Sequence, residues 1–497
     1  MPETSSSFVR ANKDECESVS LAEMISALTL ALDLTEGALQ GHALRCCVLG
    51  MRLGAALGVD ASSRESLFYA LLLKDVGCSS NATRMTQITG GDDRAFKAAA
   101  KLADWTMPAR VDLRTLKTVW KHVRPSATVP HKLARIVTMA ATQHRNNREM
   151  IAMRCERGAS ILRSMRMDDV ATEAVYRLDE HWNGSGYPNG LMGSEIPLLA
   201  RICSVAQNLD VFAVADGIGK AMQLLRKRNA TWFDPEIVLV AEELHDRGTL
   251  WVDCEPETMV EQTRACVLTM SPAVSKPMTE DQIDIVCEAF SEVVDAKSSY
   301  PASYSRGVAA IAVAMAEAMH LKPHRVRMLR RAALLHDIGK LRVPNMILEK
   351  TGPLSPEEWS AVLEHAVLTR TILERVPTFA ELAVVAGEHH ERLDGSGYPL
   401  GLKAKTISLE SRILALADCF TAMAEDRPYR AGMRLDTIFA ILGAQVPERL
   451  DVACFEVLQD VVERGEAAIP GVSAVVRPAK VKAKRWGWSG SRAGARA

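Results

Sequence analysis

No run of apolar residues in this 497-residue chain approaches the roughly 20 needed to cross a bilayer. The opening residues, MPETSSSFVRANKDECE, show neither the basic nor the apolar region of a secretory leader. Charge is balanced, 60 basic against 61 acidic side chains, so neither nucleic-acid nor membrane binding is expected of the body of the protein. Eleven cysteines, an odd number, are scattered without any C-x-x-C spacing. That argues against a disulfide framework and a cysteine zinc site, and suits a reducing cytoplasm. The adjacent Cys46 and Cys47 read as small buried residues. Sustained β-branched alternation is scarce too, which argues against a sheet.

What remains is helical pattern. Apolar residues make up 48% and recur at three- and four-residue spacing, as in AEMISALTLALDL, HALRCCVLGMRLGAAL and RGVAAIAVAMAEAMHL. An all-α chain of two to four domains is expected, with enough apolar surface for its cores. Glycine and proline gather chiefly around 184–197 and 395–407, and these clusters are near copies: NGSGYPNGL from Asn183 and DGSGYPLGL from Asp394. Gln207 lies 24 residues after Asn183, and Asp418 lies 24 after Asp394. Upstream, LLLKDVG holds Lys74 and Asp75 where ALLHDIGK holds His336 and Asp337, while His42 precedes Lys74 by 32 residues, as Tyr304 precedes His336. Several motifs at equal offsets imply a repeated domain. The expected division is an N-terminal extension over 1–19, a first domain over 20–245 with a helical insertion near 92–150, a linker over 246–282, a second domain over 283–462 and a basic tail over 463–497.

The second copy carries the chemistry. Two-metal hydrolysis needs nitrogen and oxygen ligands converging on a pair of divalent ions that clamp a scissile phosphate. His336, Asp337, His365, His389, His390 and Asp418 follow one another in helix-compatible segments, so they can project into one bundle. A carboxylate next to an imidazole can bridge two cations while the imidazole binds one. Imidazole and carboxylate without thiolate suit iron or manganese, with nickel or zinc as alternatives. Lys340, one helical turn beyond the His-Asp pair, can reach a phosphate oxygen. Taken singly, a His-Asp dipeptide is ordinary surface chemistry, paired histidines suit a helix end, and GSGYP is a turn. Arg427 and Arg430 alone would be solvated charges. Their joint occurrence within about 100 residues is what points to a site.

LLHDIGK, His365, HHERLDGSGYP and RILALADCFTAMAEDRPYR closely resemble the HD-GYP branch of the HD phosphohydrolases, over roughly 290–460. The resemblance implies a helical bundle with a di- or trinuclear centre that hydrolyses cyclic di-GMP to the linear dinucleotide or GMP. It assigns metal binding to His336, Asp337, His365, His389, His390 and Asp418, and Asp337 and Lys340 to the catalytic step. Gly397 and Tyr398 of the GYP loop would shape the substrate pocket, and Arg427 and Arg430 would meet substrate phosphates, bidentately where guanidinium allows.

Two departures matter. The family opens with a histidine where this chain has Tyr304, which is left either to ligate or to pack. Trinuclear members carry a glutamate where Tyr300 stands, so two ions rather than three are expected. In the first copy the ligand positions hold Lys74, Asp75, Arg154, Leu178, Asp179 and Gln207; of the expected set only His42 and Asp75 survive. Lys74 puts a cation where a metal would sit. That domain reads as a pseudo-enzyme with a structural, regulatory or partner-binding role, and His42 as a buried hydrogen-bonded residue. Three functions follow: a cyclic di-GMP phosphodiesterase, a cyclic-dinucleotide receptor or adaptor that turns over poorly, and a metal phosphohydrolase of another nucleotide. A homodimer or a regulatory partner on the first domain is a further expectation.

Overall fold

A computed structural model describes residues 18–102, 113–124, 127–271, 276–297, 303–426 and 431–465. Tyr300, Arg427, Arg430 and nearly all of the N-terminal extension and basic tail lie outside these. Among the described residues the structure is helical, with isolated β-bridges in place of strands.

The first lobe holds α1 (Leu21–Glu36), α2 (His42–Ala56), α3 (Ala61–Leu73), α4 (Ala82–Thr89), α5 (Asp93–Ala100) and α6 (Leu113–His122). It continues with α7 (Val129–Ser164), α8 (Asp169–Arg177), α9 (Leu198–Asp216), α10 (Ile218–Lys227), α11 (Pro235–Asp246) and α12 (Val260–Thr269). The second holds α13 (Glu280–Asp295), α14 (Tyr304–Ala318), α15 (Pro323–Leu335), α16 (Asn345–Leu348) and α17 (Pro356–Leu373). It ends with α18 (Ala380–Gly387), α19 (Leu409–Ala424), α20 (Leu435–Gly443) and α21 (Val452–Arg464). Capping boxes fix several starts: Ser20 with Glu23 at α1, Thr279 with Gln282 at α13, and Ser355 with Glu358 at α17.

Packing order is the same in both lobes. Helix α2 lies against α3 and α9, as α14 lies against α15 and α19; α8 meets α3, α7 and α9, as α18 meets α15, α17 and α19. Local devices repeat as well. Glu180 accepts the backbone N–H groups of Asn189 and Leu191 at 2.8 and 3.1 Å, and Glu391 those of Leu400 and Leu402 at 2.7 and 2.8 Å, so one buried carboxylate ties each GSGYP loop. A Cβ at Gly77 would lie 2.1 Å from the Arg154 carbonyl, and one at Gly339 would lie 2.0 Å from that of His365. Only glycine permits that approach of the turn to the long helix.

The leading helices tie the lobes together. Helix α1 packs on the second lobe's α17 and its 3-10 turn Ile338–Arg342, while α13 packs on the first lobe's α7 and its 3-10 turn Cys78–Asn81. Buried Asp33 accepts the N–H of Ala43 at 3.1 Å, and buried Asp295 accepts that of Ser305 at 3.2 Å. Both carboxylates thereby anchor the helix that follows.

The insertion is helical, formed by α5, α6 and the first half of the 36-residue α7. The segment 246–282 differs from expectation. Rather than a plain linker it contains α12, which packs on α2 and α1, because Thr263 and Val267 turn inward. Among the described helices, α9 alone is long and apolar enough to cross a membrane by length and composition; it is a central helix of its lobe, with 67% of the relevant window buried, and it carries Arg201, Gln207 and Asp210.

Candidate active site

The second lobe brings its six sequence-predicted ligand residues together. His365 projects from the middle of α17 and Asp418 from α19, whereas His336 caps α15 and Asp337 opens the turn after it. His389 and His390 lie in the turn beyond α18, so four of the six sit at helix ends and not, as the pattern suggested, inside helices. Lys340 stands in the 3-10 turn, its Nζ 2.5 Å from Asp337 Oδ2. Thr369 fastens that turn to α17: its hydroxyl donates to the His336 carbonyl at 2.9 Å and accepts from the Gly339 N–H at 3.0 Å.

Two groups of three ligand atoms form, each within 4.8 Å: His336 with His389 and Asp418, and His365 with His389 and His390. Asp337 lies between them. Its Oδ1 is 3.5 Å from His365 Nε2 and 3.7 Å from His389 Nε2, and its Oδ2 is 3.3 Å from His336 Nε2. Nδ1 of His336, His365 and His389 faces the carbonyl three residues back, at 2.7, 2.5 and 2.6 Å. A ring nitrogen facing a carbonyl must donate, so each Nε2 points into the cluster, the orientation a metal ligand needs.

Electrostatics agree with a cation site. Burial pushes His365 down to about 4 and His390 to about 3, and His389 well below its usual value, leaving neutral imidazoles with free lone pairs. At His336 burial also opposes charge, but Asp337 and Asp418 outweigh it and lift the pKa to about 10. Two buried carboxylates thus recruit a proton where a divalent ion would otherwise neutralise them. His336 Nε2 lies 3.3 Å from Asp337 Oδ2 and 3.4 Å from Asp418 Oδ1, so imidazole and carboxylates converge on one point. The residues fit bound divalent metal.

Tyr304 enters this centre from the start of α14. Its hydroxyl donates to Asp418 Oδ1 at 2.6 Å, and its ring lies 6.2 Å from that of His336. A cleft of about 340 Å³ opens beside it, lined by Tyr304, Asp337, Lys340, Leu348, Lys350 and Trp359. Trp359, 48% exposed, meets Tyr398 edge to face at 6.2 Å, and Tyr398 lies 4.6 Å from the His390 ring. A Cβ at Gly397 would fall 2.4 Å from the Arg392 nitrogen, so glycine is what lets the loop fold back and present Tyr398.

At the matching place the first lobe holds its own cations. Lys74 Nζ is paired with Asp75 and lies 2.8 Å from His42 Nε2. His42 Nδ1 is 2.5 Å from Asp210, which also accepts from Arg45 Nε at 2.5 Å. Lys101, from the insertion, lies 2.8 Å from Glu36 and 3.7 Å from Asp75, and Arg154 pairs with Asp179. Burial and the Lys74 ammonium push His42 down to about 4, so it is the buried neutral partner expected. Burial would raise Asp75, yet Lys101 and Lys74 hold it well below the carboxylate range. Gln207 replaces the carboxylate of Asp418.

Sequence reasoning missed Thr369, Glu391, Trp359 and Lys101. Glu391 had a signal, since Glu180 repeats it at the same offset from GSGYP; Lys101 had none, because it lies in the insertion.

The description "HD domain" matches residues 95–237 and 282–454. The chain belongs to the HD-domain family, in its HD-GYP branch. It is similar to the "3'3'-cGAMP-specific phosphodiesterase 3" of Vibrio cholerae, at 37% identity over 440 residues, 88% of this chain and 94% of the relative. The crystal structure of a cyclic GMP-AMP-specific phosphodiesterase of V. cholerae, V-cGAP3, aligns with a TM-score of 0.61 at 33% identity, over 90% of this chain and 98% of that one. The cyclic di-GMP phosphodiesterase response regulator RpfG of Xanthomonas campestris is 38% identical over 150 residues, 30% of this chain and 40% of its own length.

Proposed function

We propose that the protein is a metal-dependent phosphodiesterase that opens a cyclic dinucleotide in its second lobe, with 3'3'-cGAMP as preferred substrate. The observation that carries the activity is Asp337, set between two ligand triads with Lys340 beside it and a cleft in front. Likeness across both lobes to a relative named for 3'3'-cGAMP supports the substrate. Cyclic di-GMP, the substrate expected from sequence, is the second reading, favoured by likeness of part of the chain to relatives named for it.

His336 and Asp418 would hold one ion and His365 and His390 the other, with Asp337 facing both and His389, through its one free Nε2, completing one of the two; iron or manganese suits the donors best, nickel or zinc less well. Such ions polarise a phosphodiester and activate water. The chain's own residues do the rest. Backbone carbonyls lock three imidazoles in one tautomer, and Lys340 offers an ammonium to the oxygen where negative charge grows. Trp359 and Tyr398 give a purine two aromatic surfaces. Tyr304 holds Asp418 by a hydrogen bond where the family carries an imidazole. Cleavage of one phosphodiester by water yields the linear dinucleotide, and of the second, mononucleotides. The first lobe is non-catalytic, because lysine and arginine occupy its centre. With every described cysteine free, a reducing cytoplasm fits this reading.

The test is hydrolysis of 3'3'-cGAMP and cyclic di-GMP by Mn²⁺- or Fe²⁺-loaded protein. Faster cleavage of 3'3'-cGAMP is expected. A reversed preference selects cyclic di-GMP, and tight binding of either without cleavage by metal-loaded protein selects the receptor.

A further inference from the structure

The first lobe does more than pack beside the active lobe: its insertion grips the segment that carries Lys340. Asp93, fully buried at the start of α5, reaches into the second lobe. One oxygen accepts the Asn345 N–H at 2.8 Å, and the other lies 3.7 Å from Lys297 Nζ. Lys297 in turn donates to the Leu341 carbonyl at 3.0 Å, one residue beyond Lys340. Next along the chain, Arg94 binds the Leu34 carbonyl of its own lobe at 2.9 Å and the Arg342 carbonyl of the other. From α4, Thr83 accepts from Asn345 Nδ2 at 3.2 Å and donates to Glu349 at 2.9 Å. Residues 342, 345 and 349 are thus held directly from outside their own lobe, and Leu341 through Lys297, within the stretch that bears Lys340 and lines the cleft through Ile347, Leu348 and Lys350.

We infer that Asp93 is a positioning residue for the second lobe's reaction: through Lys297 and Asn345 it sets the 338–349 segment, and with it Lys340, against Asp337. This rests on the proposed phosphodiesterase reading, and it gives the degenerate lobe a role in turnover without any chemistry of its own. The physical reason is the cost of release. Without the carboxylate, a buried ammonium loses its counter-charge and a buried N–H loses its acceptor. The segment then relaxes, and small displacements of a group that meets the transition state reduce turnover steeply.

Full-length Mn²⁺-loaded protein is compared with Asp93→Asn and Thr83→Val, each in the wild-type and the Lys340→Ala background. Cleavage of whichever cyclic dinucleotide the wild type hydrolyses is measured, with amide exchange of 338–349 in parallel. Asp93→Asn should lower kcat between about 10- and 100-fold, at unchanged metal content, and speed exchange in that segment. In the Lys340→Ala background the kcat effect should vanish, because nothing remains to position. Should Asp93→Asn fail to fold, the half-buried Thr83→Val decides by the same pattern at a smaller factor. Unchanged exchange, or an equal fractional loss of kcat in both backgrounds, overturns the inference. A wild type that cleaves neither nucleotide sinks the phosphodiesterase reading, while the exchange comparison still decides the clamp.

Discussion

The two lobes share helix order, loop ties and glycine contacts, yet their centres solve one electrostatic problem in opposite ways. In the second, Asp337 and Asp418 face four histidines, three of them neutral, with Lys340 beside Asp337. In the first, Lys74, Lys101 and Arg154 meet Asp75, Glu36 and Asp179 directly. A buried carboxylate requires a counter-charge. Where lysine and arginine supply it, the fold is retained without the ligand set. Where neutral imidazoles face the carboxylates instead, Nε2 lone pairs are free to receive a cation. The difference lies in a handful of side chains on a common backbone frame.

The sharpest way to break this comparison is to remove an internal cation. Lys74→Met leaves Asp75 without its nearest counter-charge and should cost about 3–5 kcal/mol, read by denaturant unfolding. A loss within a few tenths of that of a surface variant would mean that Lys74 is not the metal's replacement. Lys340→Ala probes the other centre: turnover should fall about 100-fold while metal content is unchanged, and loss of metal would make Lys340 structural.

Acid separates the lobes further. His42 has a folded pKa of about 4, below its ordinary value of 6.5, so between these the unfolded chain holds more protons. Its contribution is complete above about pH 6.5 and drains away as pH falls toward 4, by about 3 kcal/mol. Unfolding of the wild type and His42→Asn at pH 7.5 and 4.5 should show a shallower loss in the variant; equal losses would place the titration elsewhere. Smallest is Tyr304→His, which replaces a phenol bound to Asp418 by the family's imidazole. Activity at limiting Mn²⁺ should rise, by up to about 10-fold. No gain in metal affinity or rate would show that Tyr304 is a positioning partner of Asp418 and not a weakened ligand.

Much of the second centre was legible because its residues lie in short contiguous motifs: LLHDIGK and HHERLDGSGYP each bring their ligands in one turn of chain. Equal offsets exposed the repetition, from His42 and Tyr304 to Gln207 and Asp418. What stayed hidden depends on long-range packing. Nothing local says that α1 packs on the other lobe's Ile338–Arg342 turn, that Lys101 reaches Glu36 and Asp75, or that Asp93 meets Lys297 and Asn345. Periodicity also overstated helix at the ligands, since His336, His389 and His390 cap or follow helices. Arg427 and Arg430 rest on the family resemblance alone, outside the described residues.

Asp337 is the carboxylate set between the two ligand groups, so Asp337→Ala tests the central claim most directly, with bound metal and cyclic-dinucleotide hydrolysis read side by side. The wild type should carry about two divalent ions per chain, all in the second lobe, and the variant should lose both ions and turnover. A variant that keeps two ions, or a wild type that carries four, would contradict the division of labour between the lobes.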